Sequence, residues 1–266
     1  MSEDQHYPAE DHPHYPCTDA PAVLAVYHGF ARTGQAPSVP ELAALTGLAP
    51  DLVRQELRTL HESHDLVLDA QNHDQVVMAH PFASVPLGFS VMGAHTLWWG
   101  GCAWDSFALP HLLKDEPDVL VATGCPACDT PHAWVVGRDA PPKGDQVAHL
   151  LTPMQRAWDD VVHTCANQRL FCSTDCVDIW LQQTGQERGY VMDLGTLWRL
   201  ASDRYTGRLD LGYARRDPAA ASAYFAEVGL NRSASQGAWD QMGPSTSCGT
   251  AASSRVSSTV SSCRSS

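Results

Sequence analysis

The sequence has 266 residues, of which 44% are hydrophobic, 8% aromatic and 18% charged. This length and composition predict one or two globular domains with a substantial core, and they exclude collagen-like, coiled-coil and wholly disordered chains. The 17 lysines and arginines stand against 30 aspartates and glutamates, which gives a net charge of −13. Such a charge repels phosphate backbones and argues against a general nucleic-acid binder.

Nine cysteines and thirteen histidines are the unusual part of the composition. The chain starts with acidic and polar residues, without the basic and apolar regions of a secretory signal. The most apolar window, residues 91–110, contains His95, Cys102 and Asp105, so it predicts a core segment rather than a membrane span. We therefore expect a cytoplasmic protein with no membrane partner. In that compartment grouped cysteines indicate metal binding or catalysis rather than disulfides.

The first two regions in chain order are a tail and a helical unit. Residues 1–18 are acidic and rich in proline and histidine, which predicts a disordered tail. Residues 19–80 predict a winged-helix-like helical domain, with three amphipathic helices and a β-hairpin. The third helix, within residues 48–66, should bury one apolar face. That face consists of Leu52, Val53, Leu57 and Leu60. Because this helix has no basic face, a packing role is favoured over DNA binding.

The remaining regions are a mixed domain and a second tail. Residues 81–230 combine strands and helices without βαβ alternation, which predicts an α+β fold with a mixed, mainly antiparallel sheet. Strands are predicted at 120–124, 132–137 and 159–172, and helices at 102–113, 173–185 and 194–207. Residues 231–266 are rich in serine and predict a disordered tail.

The segment 98–110, WWGGCAWDSFALP, carries the first candidate site. Two glycines predict a flexible start to a helix near Cys102, where the positive helix end would favour thiolate. Asp105 follows three residues later, so its carboxyl should project from nearly the same face and could exchange a proton with the thiol. Three tryptophans would form an apolar wall around it: Trp98, Trp99 and Trp104. The alternative is a buried structural cysteine beside a solvated aspartate.

A second segment carries three more thiols. The predicted strand at 159–172 places Cys165 and Cys172 on opposite faces, because their separation is odd. Cys176 should lie on the helix that follows. His163 would share the strand face of Cys165, but we expect no role for it. Four other histidines are expected to lie on the surface or in the core rather than to act as ligands: His80, His95, His111 and His132.

These two segments resemble the active-site segments of the organomercurial (alkylmercury) lyases. In the first, the family pattern of an aromatic residue, Cys, Asp and Pro is matched by Trp99, Cys102, Asp105 and Pro110. The second is matched by Cys165, together with Phe171 and Ser173. The resemblance extends over about residues 20–230. It departs from some members at Ala166, where they carry a further cysteine.

The resemblance implies a catalytic domain at residues 81–230 that cleaves carbon–mercury bonds. Cys102 and Cys165 would bind mercury, because thiolates are the soft ligands that a protein offers. Asp105 would carry a proton from a cysteine to the leaving carbon. The products would be a hydrocarbon and Hg(II) bound by Cys102 and Cys165, in a mercury detoxification role. No cofactor is required. Low-molecular-weight thiols or a mercuric reductase would then take the ion.

Four further cysteines predict a structural zinc site. Cys125 and Cys128 form a C-x₂-C pair, Cys172 and Cys176 form a C-x₃-C pair, and 43 residues separate the pairs. Two such pairs are a zinc pattern if the four side chains converge in the fold. This site would leave Cys102 and Cys165 available for catalysis.

Two other functions stay open at this point. A diverged family member could be a thiol metal-binding protein with another substrate, because a fold does not fix a reaction. A winged helix with cysteines could also be a metal- or thiol-responsive regulator, although the acidic charge argues against DNA as a partner.

Overall fold

The computed structural model describes residues 20–150, 160–213, 216 and 218–228. The tails predicted at 1–18 and 231–266 lie outside these residues. Among the described residues, no helix combines the length and the apolar character that a membrane crossing requires.

Three helices open the described chain, and their ends follow from local sequence. A proline occupies the first turn of each, where its missing N–H costs nothing. Gly34 and Gly47 end the first two helices in the left-handed conformation that glycine adopts most readily. The three helices are α1 (Pro21–Thr33), α2 (Val39–Thr46) and α3 (Pro50–Glu62).

The third helix differs from its predicted face at one position. Val53, Leu57 and Leu60 are fully buried, but Leu52 is 42% exposed. Arg54 forms ion pairs with Asp51 and Asp74, so its charge is offset at the helix surface. The predicted helices and the hairpin are present, while their resemblance to a winged helix stays a prediction.

A seven-stranded antiparallel sheet forms the centre of the fold. Its strand order is β1-β2-β3-β5-β4-β6-β7, so the hairpin that follows α3 is hydrogen-bonded into the same sheet as the later strands. The strands are β1 (Val67–Leu68), β2 (Val76–Ala79), β3 (Phe82–Ala83), β4 (Phe89–Met92), β5 (Leu97–Gly100), β6 (Asp118–Gly124) and β7 (Pro131–Gly137).

A second, three-stranded antiparallel sheet follows, in the order β10-β8-β9. Its strands are β8 (Val147–Leu150), β9 (Arg169–Phe171) and β10 (Tyr190–Asp193). The remaining helices are α4 (Ala103–Leu112), α5 (Val161–Ala166), α6 (Thr174–Thr184), α7 (Leu194–Ser202) and α8 (Pro218–Glu227). Helices and antiparallel sheets together confirm the predicted α+β class.

Helix α4 lies in the middle of the core. It contacts β4, β5, β6 and β7 as well as α7, and nine of its ten residues are buried. An apolar helix of this kind is stable only when other elements cover it on all sides. The consequence for function is that the start of α4 lies deep inside the protein.

The strand predicted at 159–172 is wrong over most of its length. Residues 161–166 form the short helix α5, and only Arg169–Phe171 pair as a strand. The Asp160 carboxylate accepts the N–H of His163 at 2.9 Å and caps the helix. This cap overrides the strand preference of the β-branched residues in the segment. The helix predicted at 194–207 is also shorter, since α7 ends at Ser202.

Candidate active site

Cys102 is the N-cap residue of α4, so the helix starts near the residue that the sequence predicted. The chain leaves β5 at Gly100, and the Cys102 sulfur accepts the backbone N–H of Asp105 at 3.4 Å. The hydroxyl of Ser106 donates to the Cys102 carbonyl at 2.7 Å and fixes this turn. The thiol is only 3% exposed, so it faces the protein interior.

Asp105 is a buried carboxyl group with two polar partners. The hydroxyl of Tyr205 donates to Oδ1 at 2.6 Å. Nδ1 of His80 lies 3.1 Å from Oδ2 on the other side of the carboxyl group.

The sequence predicted an apolar wall of tryptophans around this carboxyl group, but it did not predict either of these two polar partners. The indole N–H groups of Trp98 and Trp104 bind the carbonyls of Phe30 and Leu200 in the core.

Gly100 and Gly101 allow close packing rather than a flexible start to the helix. A Cβ atom on Gly101 would lie 2.3 Å from Oδ2 of Asp105 and 2.8 Å from the methyl group of Met78. A Cβ atom on Gly100 would lie 2.0 Å from Oγ of Ser106. All three distances are far below van der Waals contact. The position of the Asp105 carboxyl group therefore depends on Gly101, and that of the Ser106 hydroxyl group depends on Gly100.

Cys165 comes to the same place from α5, not from a strand. Its carbonyl accepts the N–H of Gln168 at 3.1 Å, and the carbonyl of Gln168 accepts the N–H of Ala103 at 3.0 Å. This main-chain bond joins the segment of Cys165 to the segment of Cys102. The two thiols are close enough for each to shift the pKa of the other. The Cys165 sulfur and the ligand atoms of His80 and Asp105 lie within 4.8 Å of one another.

Burial decides the protonation of both thiols. It raises the pKa of Cys102 well above the ordinary 9.0, and hydrogen bonding to Cys165 and the Asp105 charge act in the same direction. For Cys165, the hydrogen bond from Cys102 lowers the pKa, but burial and the Asp105 charge outweigh it, so the pKa is raised. The expectation of a thiolate at the helix start is therefore wrong, because desolvation of the charge outweighs the helix end.

The structure brings together Cys102, Asp105 and Cys165, which the sequence singled out, and adds His80 and Tyr205. His80 precedes Asp105 by 25 residues, and Tyr205 follows it by 100. No local motif links residues at such separations. The sequence therefore does not single out Tyr205, and it predicts no ligand role for His80. His163 is exposed and bonds to the side chain of Asn167.

The other four candidate cysteines converge at a second place. The sulfurs of Cys125, Cys128, Cys172 and Cys176 all lie within 4.8 Å of one another. None of the six cysteines in the described part of the chain forms a disulfide.

Two buried thiols beside a buried, oriented carboxyl group form a candidate active site on an α+β fold. Residues 82–206 match the family model described as MerB, alkylmercury lyase. This region therefore confirms the resemblance to the alkylmercury lyase family that the sequence predicts. It contains Cys102, Asp105, Cys165 and Tyr205, whereas His80 lies two residues before it.

A solved structure supports the fold. Ten chains of solved structures match, among them one titled "Crystal structure of the mercury-bound form of MerB2". That match has a TM-score of 0.56 and 17% sequence identity, and it covers 72% of this chain and 92% of the other. No curated protein sequence matches this chain.

Proposed function

We propose that the protein cleaves the carbon–mercury bond of organomercurials by protonolysis, in a mercury detoxification role. The observation that carries this proposal is the convergence of the Cys102 thiol, the Cys165 thiol and the Asp105 carboxyl group in one buried site. Thiolates bind mercury, and a carboxyl group beside them can transfer a proton. The match of residues 82–206 to the lyase family supports the same reaction.

In the proposed reaction, one thiol first exchanges with the ligand that the organomercurial carries, and that ligand leaves with the thiol proton. The second thiol then gives its proton to the Asp105 carboxylate and binds mercury as a thiolate. A second thiolate pushes electron density toward carbon and weakens the carbon–mercury bond. Asp105 returns the proton to carbon, so a hydrocarbon leaves and Hg(II) stays on Cys102 and Cys165. Atoms and charges balance without a cofactor.

Tyr205 and His80 have a positioning role in this reaction. They contact opposite oxygens of Asp105 and fix the plane of its carboxyl group. A proton donor that is held in place avoids much of the entropic cost of finding the carbon atom. Low-molecular-weight thiols, or a mercuric reductase, would remove the bound Hg(II).

The test is hydrocarbon release, measured by headspace gas chromatography. Purified protein is incubated with phenylmercury or methylmercury and excess thiol, beside the variants Cys102→Ser, Cys165→Ser and Asp105→Asn. We expect benzene or methane from the wild type and from the control variant His163→Ala, which changes an exposed residue on the helix of Cys165. The three site variants should release none while keeping the wild-type circular dichroism spectrum.

Failure of the folded, reduced wild type to release hydrocarbon would contradict the proposal. Stoichiometric Hg(II) binding without hydrocarbon release would instead indicate a diverged thiol metal-binding protein. A regulator that binds DNA through α3 has less support, because Arg54 on that helix is paired with Asp51 and Asp74.

A further inference from the structure

We infer that Cys125, Cys128, Cys172 and Cys176 bind one structural Zn²⁺ ion. Their four sulfurs lie within 4.8 Å of one another, and the Cys128 and Cys172 sulfurs are 3.5 Å apart. Tetrahedral zinc with Zn–S bonds of about 2.3 Å places its sulfur ligands about 3.8 Å apart. The cluster therefore needs only small side-chain adjustments to surround the ion.

The first pair lies on a tight turn between β6 and β7. The Cys125 N–H donates to the carbonyl of Thr130 at 2.9 Å. The Cys125 carbonyl accepts the N–H groups of Cys128 at 3.3 Å and of Asp129 at 2.8 Å. Asp129 has a φ of 57°, the left-handed conformation that closes the turn. This backbone brings the buried Cys125 and the exposed Cys128 to the same side.

The second pair lies at the start of α6. Cys172 follows β9 directly, and Cys176 is in the first helical turn, where its N–H donates to Oγ of Ser173 at 3.4 Å. The partial positive charge of a helix N-terminus stabilises nearby thiolates. Arg169 adds a guanidinium group, which donates to the Gly124 carbonyl at 3.3 Å and interacts with the charge of Cys125. Both features offset the negative charge of a zinc tetrathiolate.

Polar side chains also lie beside the sulfurs. Oγ1 of Thr130 is 3.1 Å from the Cys128 sulfur, and Nε2 of His132 is 3.4 Å from the Cys172 sulfur. Outer groups of this kind orient the ligands of a metal. With four protein ligands, the ion would have no open position for a substrate, which is typical of a structural site.

The packing around the cluster shows what the ion would stabilise. Cys125, Phe171, Val177, Trp180 and Leu181 form a small buried cluster that is separate from the main core. Few apolar contacts hold such a cluster, so a metal that joins its elements contributes directly to folding. Zinc would connect the β6–β7 turn of the large sheet to β9 and α6. This inference is independent of the proposed lyase reaction.

The first experiment measures metal content in the absence of mercury. The full chain is purified under reducing conditions, equilibrated with Zn²⁺, desalted and analysed by mass spectrometry of the metal. We expect one zinc per chain in the wild type and in Cys102→Ser, which alters the other thiol site. Cys128→Ser and Cys172→Ser should lose most of the zinc. Neither of these two residues is fully buried, so their replacement disturbs the packing less than replacement of the buried Cys125 would.

Two further readouts do not involve activity. Co²⁺ in place of zinc should give the intense thiolate charge-transfer absorption of a tetrahedral site in the wild type but not in Cys128→Ser. A chelator should lower the Tm of the wild type and leave that of Cys128→Ser unchanged. Folded, reduced wild type that binds no zinc, or equal zinc in the wild type, Cys128→Ser and Cys172→Ser, would overturn the inference.

Discussion

Asp105 shows how single residues from distant parts of the chain complete the candidate site. Its two polar partners come from the turn after β2 and from the segment after α7. Tyr205 makes the shorter contact, at 2.6 Å. The hydroxyl of Tyr205 stays protonated because burial and the Asp105 charge raise its pKa well above 10.0. It therefore acts as a hydrogen-bond donor throughout the physiological range.

We expect Tyr205→Phe to lower the turnover of phenylmercury by about 10-fold, because the carboxyl group loses one of two contacts that aim it. The KM should change little, since in the proposed reaction the thiols bind mercury and Tyr205 does not. Steady-state kinetics of benzene release separates the two parameters. A KM that rises while turnover stays unchanged would show that Tyr205 contributes to binding rather than to proton transfer.

We expect Gly101→Ala to abolish most of the activity. The new Cβ would lie 2.3 Å from Oδ2 of Asp105, so the carboxyl group or the backbone must move. Overpacking of this kind also destabilises a protein by about 1–3 kcal/mol. The matched control is Gly124→Ala on β6, where a Cβ meets no atom within 4 Å. Benzene release and urea unfolding measure both effects, and equal activity of the two variants would contradict the expectation.

Local spacing made part of the site readable in the sequence. Cys102 and Asp105 are three residues apart on one helix, so their proximity follows from helix geometry alone. Cys165 was found only through its resemblance to a family motif. Its partnership with Cys102 depends on a backbone bond between Ala103 and Gln168 that no sequence pattern reveals.

For the secondary-structure elements, capping residues predicted the type and the ends of an element better than residue propensities did. Ser173 and Gly185 bound α6 as predicted, whereas the β-branched residues around Cys165 suggested a strand that is absent. The strands at β6 and β7 were predicted, but their place in the sheet order was not. Strand order depends on contacts between residues far apart in the chain, which periodicity does not report.

A buried ion pair ties the first helices to the segment that carries Tyr205. Arg208 is 7% exposed and donates to the hydroxyl of Tyr27 at 2.7 Å and to the carbonyl of Asp65 at 3.1 Å. The same guanidinium lies 3.4 Å from Oδ1 of Asp65. Tyr27 belongs to α1, so the contact spans most of the described chain.

We expect Arg208→Met to lower the free energy of unfolding by about 3–5 kcal/mol, because the buried Asp65 loses its guanidinium partner. The control Arg54→Met breaks a partly exposed pair and should cost less than about 1 kcal/mol. Urea titrations followed by circular dichroism give both values. Similar losses in the two variants would show that the buried pair adds no special stability.

Over the whole molecule, buried titratable groups set the pH range of stability. Burial, helped by the charge of Arg188, lowers the pKa of His149 from 6.5 to about 4, and its Nε2 accepts the N–H of Gly189 at 2.8 Å. A lowered histidine pKa means that the unfolded chain binds the extra proton, so stability is lost as pH falls below 6.5. The raised pKa of Cys102 affects stability at alkaline pH. The thiol of the unfolded chain loses its proton at a lower pH than the thiol of the folded chain, so stability is lost as pH rises above 9.0.

We expect the free energy of unfolding to be greatest between about pH 6.5 and 9 and to fall on both sides. Each group that is protonated in one state and ionised in the other changes the free energy of unfolding by up to about 1.4 kcal/mol per pH unit. Urea unfolding at a series of pH values measures the profile. Cys102→Ser should make the alkaline fall less steep and leave the acidic side as it is. A wild-type stability that does not fall above pH 9 would contradict the pKa directions of both thiols.

The hydrogen bond from the Ala103 N–H to the Gln168 carbonyl has a consequence for how this enzyme can vary. It holds two parts of the chain together through atoms that every residue except proline possesses. The side chains at positions 102, 105 and 165 can therefore be replaced without breaking this backbone hydrogen bond. New soft-metal chemistry could arise in this protein by exchange of side chains alone, within an architecture that stays the same.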